Sequence, residues 1–389
     1  MKHLLLIAFF TPFPLLCWFL LPYQASSLTN YVLLAVPQIA LSVLLVAYTV
    51  LNKRPFFRSS LWILYVLLLY ICVSTVVVRP SSALFAAYFC FSVYMLTLFP
   101  INSEEDERTI FRAAVVAASI AAVAVLLFGD YYRHNPMANT VAFVAFGAYV
   151  FRNRLFSFLI SSGCIVLVVL TNSRNAMLAM IVGLGAYLYF RVHKRLSLMA
   201  KMLCFLLIAA VVIVLHTPLY NVVDEAFMFS DSRRGIANGM TGRFSLYENT
   251  FELITEKPIF GWGSRAYKDS QMRLAIGGSS PHNGILAFTF QYGVIGLLLL
   301  LVLLWQAYTR ASACEQSTLI RAMIIFKLAQ TAGESSVLSV GSIHNLLFLF
   351  VLIAALRFGR VREDLLQPSK IKSRAITQNL QRNIREVPV

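Results

Sequence analysis

Apolar runs long enough to cross a bilayer follow one another along almost the whole chain, and this patterning constrains the fold more than any other feature. A helix needs about 20 apolar residues to span about 30 Å of hydrocarbon, and fewer where protein buries its ends. Twelve candidate spans meet that requirement, at 4–21, 31–51, 61–78, 83–100, 112–128, 137–151, 155–170, 176–190, 202–216, 283–306, 322–338 and 343–356, the last two also readable as one re-entrant pair. Most connectors between them are short and basic. With 59% hydrophobic and only 13% charged residues, against about 25% charge in a soluble domain, the chain cannot cover these runs with a polar surface. A soluble globular domain, a fibre, a disordered chain and a single anchor on a soluble domain are excluded. The expectation is an all-α polytopic membrane protein of about twelve transmembrane helices, with one membrane domain over 1–356 and a basic cytoplasmic tail over 357–389.

The first run follows Lys2 and has the outline of a signal peptide, but it contains Pro12 and Pro14, lacks a small-residue cleavage site and precedes another full span. It reads as the first helix of the membrane domain. Six cysteines, at 17, 72, 90, 164, 204 and 314, include no CxxC pair, and five lie inside apolar runs. Neither a disulfide framework nor a zinc site is expected.

Basic residues set the orientation. Placing both termini inside puts 22 of the 33 Lys and Arg on the inner side and 10 on the outer, with Lys327 inside a span. The formal net charge of +16 is then a topology signal, with membrane lipid and not nucleic acid as its partner. The longest polar stretch, 217–281, faces outside in this topology, and long loops inside compact domains are usually functional. Within it Phe244, Tyr247, Phe251 and Ile254 recur at helical spacing, predicting an amphipathic helix over 244–256 that lies on the membrane or caps a cavity. Pro258 and the Gly261-Trp262-Gly263 turn end it.

The motifs of soluble catalysis, GxxxxGK[ST], GxSxG and HExxH, do not occur in the sequence. What remains are ionisable groups at the outer ends of spans, where a charge near hydrocarbon is costly and is a functional candidate by default. Arg174 sits in Thr171-Asn172-Ser173-Arg174-Asn175, at the tip of a tight hairpin. Its guanidinium can hold a phosphate through two parallel hydrogen bonds, or simply reach lipid headgroups. Arg243 opens the amphipathic helix, where the helix N-terminus and a cation favour an anion; a loop salt bridge to Glu248 or Asp231 is the simpler alternative. His282, in Ser280-Pro281-His282-Asn283, stands where the loop re-enters the membrane and can remove a proton from a sugar hydroxyl, or can be a capping residue. His134, His216 and His344 are its rivals. Lys327 and Glu334, seven residues apart, are expected on one face of one span, as a structural pair or part of an ion path.

The order of these pieces resembles one family. TNSRN over 171–175, TGRFSLYENTFELITEKPIFGWG over 241–263 and SPHNGILAFTFQYGVIG over 280–296 look like the O-antigen ligase and O-antigen polymerase family of bacterial envelope glycan enzymes, carrying its GR, PxxGxG and HNxxL pieces in order. The resemblance implies an architecture similar to C-type glycosyltransferases, in the bacterial inner membrane, with the active site facing the periplasm. It implies a metal-independent, inverting transfer that uses no cofactor. The donor would be an undecaprenyl-diphosphate-linked glycan, and the acceptor lipid A-core or another lipid-linked glycan. The family's two donor-diphosphate arginines fall on Arg174 and Arg243, and its catalytic histidine falls on His282. Two departures stand out: Tyr247 occupies a place often held by tryptophan, and the outer loop is shorter than in many ligases, which leaves the acceptor open. A ligase is the leading reading, a polymerase of lipid-linked repeats the second, and a lipid-linked oligosaccharide flippase the alternative from another class.

Overall fold

A computed structural model describes residues 43–98, 134–150, 153–171, 173–193, 239–278, 280–314, 316–334, 337–338 and 343–366, with the isolated positions 108, 112, 115, 116, 119, 197 and 199. The spans expected at 4–21 and 202–216, residues 31–42 of the span at 31–51, most of that at 112–128, and the tail beyond 366 lie outside the described residues. Those that can be compared become helices: α1 (Trp62–Val78), α2 (Ala83–Leu98), α3 (His134–Gly147), α4 (Arg154–Leu170), α5 (Arg174–Val192), α8 (Gly284–Arg310), α9 (Ser317–Thr331) and α10 (Ile343–Leu366). Between α5 and α8 lie α6 (Gly239–Glu256) and the short α7 (Ser270–Ile276). Among the described residues, four helical segments are long and apolar enough to cross a membrane: Ser59–Val78, Pro80–Leu98, Arg174–Val192 and Gly284–Arg310. Shorter apolar helices run at Ala138–Gly147, Arg154–Leu170 and Leu347–Arg357.

The chain is a helical membrane protein, and its helices are apolar all round for a physical reason. On α1, Ile63, Leu64, Leu67, Leu68 and Ile71 are buried, while Val66, Leu69, Val73, Val76 and Val77 point outward, where lipid takes the place of water. At the centre are α3 and α10, whose Ala138–Phe146 and Leu347–Leu356 segments are almost completely enclosed. The most extensive helix pair is α5 against α9. Ala176, Ala179, Met180 and Gly183 form the buried side of α5, and a Cβ at Gly183 would lie 2.5 Å from Phe146 and 2.8 Å from Phe326. Small residues at this spacing let membrane helices approach closely.

Contacts between helix ends fall into two opposite groups. At one end Arg310 donates to the Ser60 carbonyl at 2.8 Å, and Arg357 to the Thr97 carbonyl at 2.9 Å. At the other, Arg79 pairs with Asp269 at 2.6 Å, and Asn175 Nδ2 donates to the Gln330 carbonyl at 2.9 Å. The α1 helix runs from the first group to the second and α2 runs back, the alternating sense expected of successive spans.

One span differs from expectation. The run at 322–338 is a helix only to Thr331, and the chain turns through Ala332 and Gly333, whose amides donate to Ala329 and Gln330 at 3.2 Å each. Gly333 abuts Asn175 so closely that a Cβ there would overlap the Asn175 amide. Glu334 therefore follows the helix end and does not share a helical face with Lys327.

Candidate functional site

The outer loop folds back onto a broken helix. Inside α8, Gly293 adopts φ 65° and ψ −171°, a backbone region essentially reserved for glycine, and the helical ladder opens. The carbonyls of Phe290 and Gln291 are taken by the amides of Trp262 and Gly263, at 2.9 and 2.8 Å, and Val294 N–H donates to the Pro258 carbonyl at 2.7 Å. The Tyr70 hydroxyl of α1 lies 2.7 Å from the Tyr292 carbonyl and 3.1 Å from that of Ile259. This clamp is what the PxxGxG motif builds: Gly261, at φ 66°, would place a Cβ 2.6 Å from the Gln291 carbonyl oxygen. Sequence reading took these glycines as a helix stop, although a glycine inside the apolar span at 293 was the available signal for the break.

On this clamp rests α6. Leu246, Thr250, Leu253 and Ile254 turn inward toward Trp262, Ala266, Ile276 and Phe290, and the Trp262 indole N–H donates to the Leu253 carbonyl at 2.7 Å. The helix is present as expected, and the face it packs on the protein lies beside the predicted stripe. Phe244 and Phe251 point away from the protein at 54% and 62% exposure, because the aromatic positions have lipid to face as well as a core.

Arg174 is the first residue of α5, following the Ser173 N-cap, so the predicted hairpin tip between α4 and α5 is where the structure puts it. Its neighbour Asn175 is hydrogen-bonded to Gln330 at the end of α9. The α6 helix starts at Gly239, so Arg243 does not open it as expected but is its fifth residue, one turn before Tyr247, whose hydroxyl is 3.5 Å from the Ala332 carbonyl in the turn after α9. Both arginine-bearing helices thus reach the same turn, 330–334. His282 stands before the α8 N-cap Asn283, whose side chain accepts from Leu286 N–H at 3.0 Å, and it holds a strained φ of 48°.

Electrostatics join these groups. Burial, reinforced by the Arg243 guanidinium, lowers the His282 pKa from its ordinary 6.5, so the ring is neutral and able to accept a proton at neutral pH. Arg243 also favours the charged form of the Glu334 carboxylate. Asp231 lies outside the described residues, as does His216, and the side chain of His134 is likewise not described. His344 is buried in α10. A second tie comes from Asp269, whose carboxyl is held below the usual carboxylate range by Arg79 and which also caps α7 by accepting from Gln271 N–H at 2.9 Å.

Arg174, Arg243, His282 and the clamp all fall within residues 156–301, the stretch that matches the family model described as O-antigen ligase. The chain carries an O-antigen ligase family domain. The motif order had pointed to that family, and the match supports a general role in transfer of lipid-linked glycans. No curated protein matches the chain.

Proposed function

We propose that the protein transfers a glycan from undecaprenyl diphosphate to an acceptor sugar at the outer face of the bacterial inner membrane, with Arg174 and Arg243 holding the donor diphosphate and His282 acting on the acceptor. The observation that carries this reading is that the helix opened by Arg174 and the helix that bears Arg243 both reach the 330–334 turn, with a neutral histidine beside Arg243, within the residues that match the O-antigen ligase family model. An acceptor hydroxyl oxygen bonds to the anomeric carbon while its proton passes to the His282 ring. The bond from that carbon to the diphosphate breaks, and its electron pair leaves with undecaprenyl diphosphate. Attack opposite the leaving group inverts the anomeric centre. Fixed guanidiniums suit the leaving group because they neutralise developing charge and do not deprotonate.

Lipid A-core is the acceptor favoured here; the growing end of another lipid-linked repeat is the second. The test is transfer by purified protein in detergent, with a chelator, an undecaprenyl-diphosphate oligosaccharide, and lipid A-core or no added acceptor. Product that requires lipid A-core makes the protein a metal-independent ligase. Longer lipid-linked glycan formed without it makes the protein a polymerase, and flipping of labelled donor in liposomes with no new glycosidic bond overturns the enzyme reading in favour of a flippase.

A further inference from the structure

Behind the proposed reaction site lies a chain of buried polar side chains that the transfer step leaves unused. Asn139 of α3 and Lys327 and Gln330 of α9 are each 0% exposed. Lys327 Nζ donates to Gln330 Oε1 at 2.8 Å, and Gln330 Nε2 donates to the Asn139 carbonyl at 3.4 Å. Asn139 Nδ2 in turn donates to Glu334 Oε1. Polar groups at membrane depth are expensive unless a function retains them, and this series ends on a carboxylate at the turn that α5 and α6 both touch.

Glu334 is fixed from several sides. Asn139 binds it from α3, the Lys327 ammonium attracts it from α9, and Gly333 beside it is packed against Asn175, next to Arg174. Across the turn, Tyr247 reaches the Ala332 carbonyl and brings α6 against it. Arg243 stands one turn before Tyr247 on the same helix, at the end of the flexible stem that arginine must order before its planar fork can meet a diphosphate.

We propose that Glu334 is a positioning residue that aims the Arg243 guanidinium at the donor diphosphate, with Asn139 and Lys327 holding the carboxylate in place. The inference rests on the reading of Arg243 as a diphosphate ligand. It has a signature that simple electrostatics does not share. Removing a negative charge beside an anion site should, by Coulomb's law alone, strengthen anion binding. Loss of a positioning carboxylate weakens it.

The experiment is binding of undecaprenyl diphosphate to the purified full chain in detergent, with undecaprenyl monophosphate as reference. Arg243→Ala is expected to weaken diphosphate binding, and Glu334→Gln to weaken it about tenfold. Glu334→Asp should recover most of the loss, and Glu334→Gln added to Arg243→Ala should cost nothing more, since the guanidinium it aims is gone. Unchanged or tighter binding by Glu334→Gln, with Arg243→Ala still weak, overturns the inference and leaves the donor-site reading standing. Unchanged binding by Arg243→Ala overturns that reading, and the inference with it. A further loss in the double variant assigns Glu334 to the fold and also overturns the inference. Should Glu334→Gln not give folded protein, Lys327→Met with Glu334→Gln removes both charges together, leaves no uncompensated buried charge, and is compared in the same way.

Discussion

His282 combines the two properties a base on a sugar hydroxyl needs: a strained backbone that fixes it at the mouth of α8, and a pKa pushed down by burial and by Arg243. A proton acceptor must be unprotonated in the free enzyme, so activity is lost as pH falls through the depressed pKa. The acid limb of kcat/KM is therefore expected below the ordinary histidine value of about 6.5, and a limb at or above 6.5 would remove His282 from the role of base. His282→Ala should lower kcat by about 10²–10⁴-fold while leaving undecaprenyl diphosphate binding intact, because it removes proton transfer and not diphosphate recognition. The arginines should behave in the opposite sense. Arg243→Lys keeps a charge but loses the planar fork, and a donor KM that rises together with a fall in kcat, by at least about tenfold in kcat/KM, is the expected pattern. These variants are compared at equal amounts of membrane-inserted protein, with full glycan transfer by Arg243→Lys counting against bidentate recognition.

At the scale of elements, the clamp between the PxxGxG segment and the broken α8 sets where His282 and α6 stand, and its weak point is Gly293. Its φ of 65° and ψ of −171° are open only to glycine, and a Cβ there would overlap the Ile259 carbonyl. Gly293→Ala should cost about 1–3 kcal/mol from backbone strain alone, read as a fall in the melting temperature of the purified protein. Gly163 and Gly185 are the controls: both are helical and would place a Cβ in open space, so Ala there should be neutral or stabilising by up to about 1 kcal/mol. Equal loss at all three would mean that the break at 293 is not what holds the loop. The same element shows how far the sequence could be read. Hydropathy alone located α1, α2, α4, α5 and α8 to within a few residues, because lipid imposes one rule along each span. It misplaced the end of α9 and left open which face of α6 packs on protein, since a turn stabilised by Gly333 against Asn175, and a helix with protein on one side and lipid available on the other, are decided by neighbours distant in the chain. Arg174, Arg243 and His282 were legible as charges at span ends. Glu334 was visible as a buried acid, but its link to Arg243 depends on a turn that no periodicity announces.

For the whole molecule, the two groups of helix-end contacts fix the relative direction of the described helices, and the basic residues supply the absolute one. Arg310 and Arg357 hold helix ends together on the face assigned to the cytoplasm, whereas Arg79, Asp269 and the α6–α7 segment gather on the other. The proposed chemistry requires that second face to be periplasmic, because a flipped lipid-linked donor presents its glycan there. The requirement can be tested without activity. In a background lacking the six native cysteines, Leu274→Cys places a thiol on α7 at a position 82% exposed, and Ser312→Cys places one just after α8, on the Arg310 face. A membrane-impermeant maleimide added to spheroplasts should label the 274 thiol and spare the 312 thiol until the membrane is permeabilised. The reverse pattern would put Arg174, Arg243 and His282 on the cytoplasmic side. It would also mean that an asymmetry of 22 inner to 10 outer basic residues had failed to set the orientation, which the positive-inside rule makes a costly outcome for a chain whose connectors are mostly short.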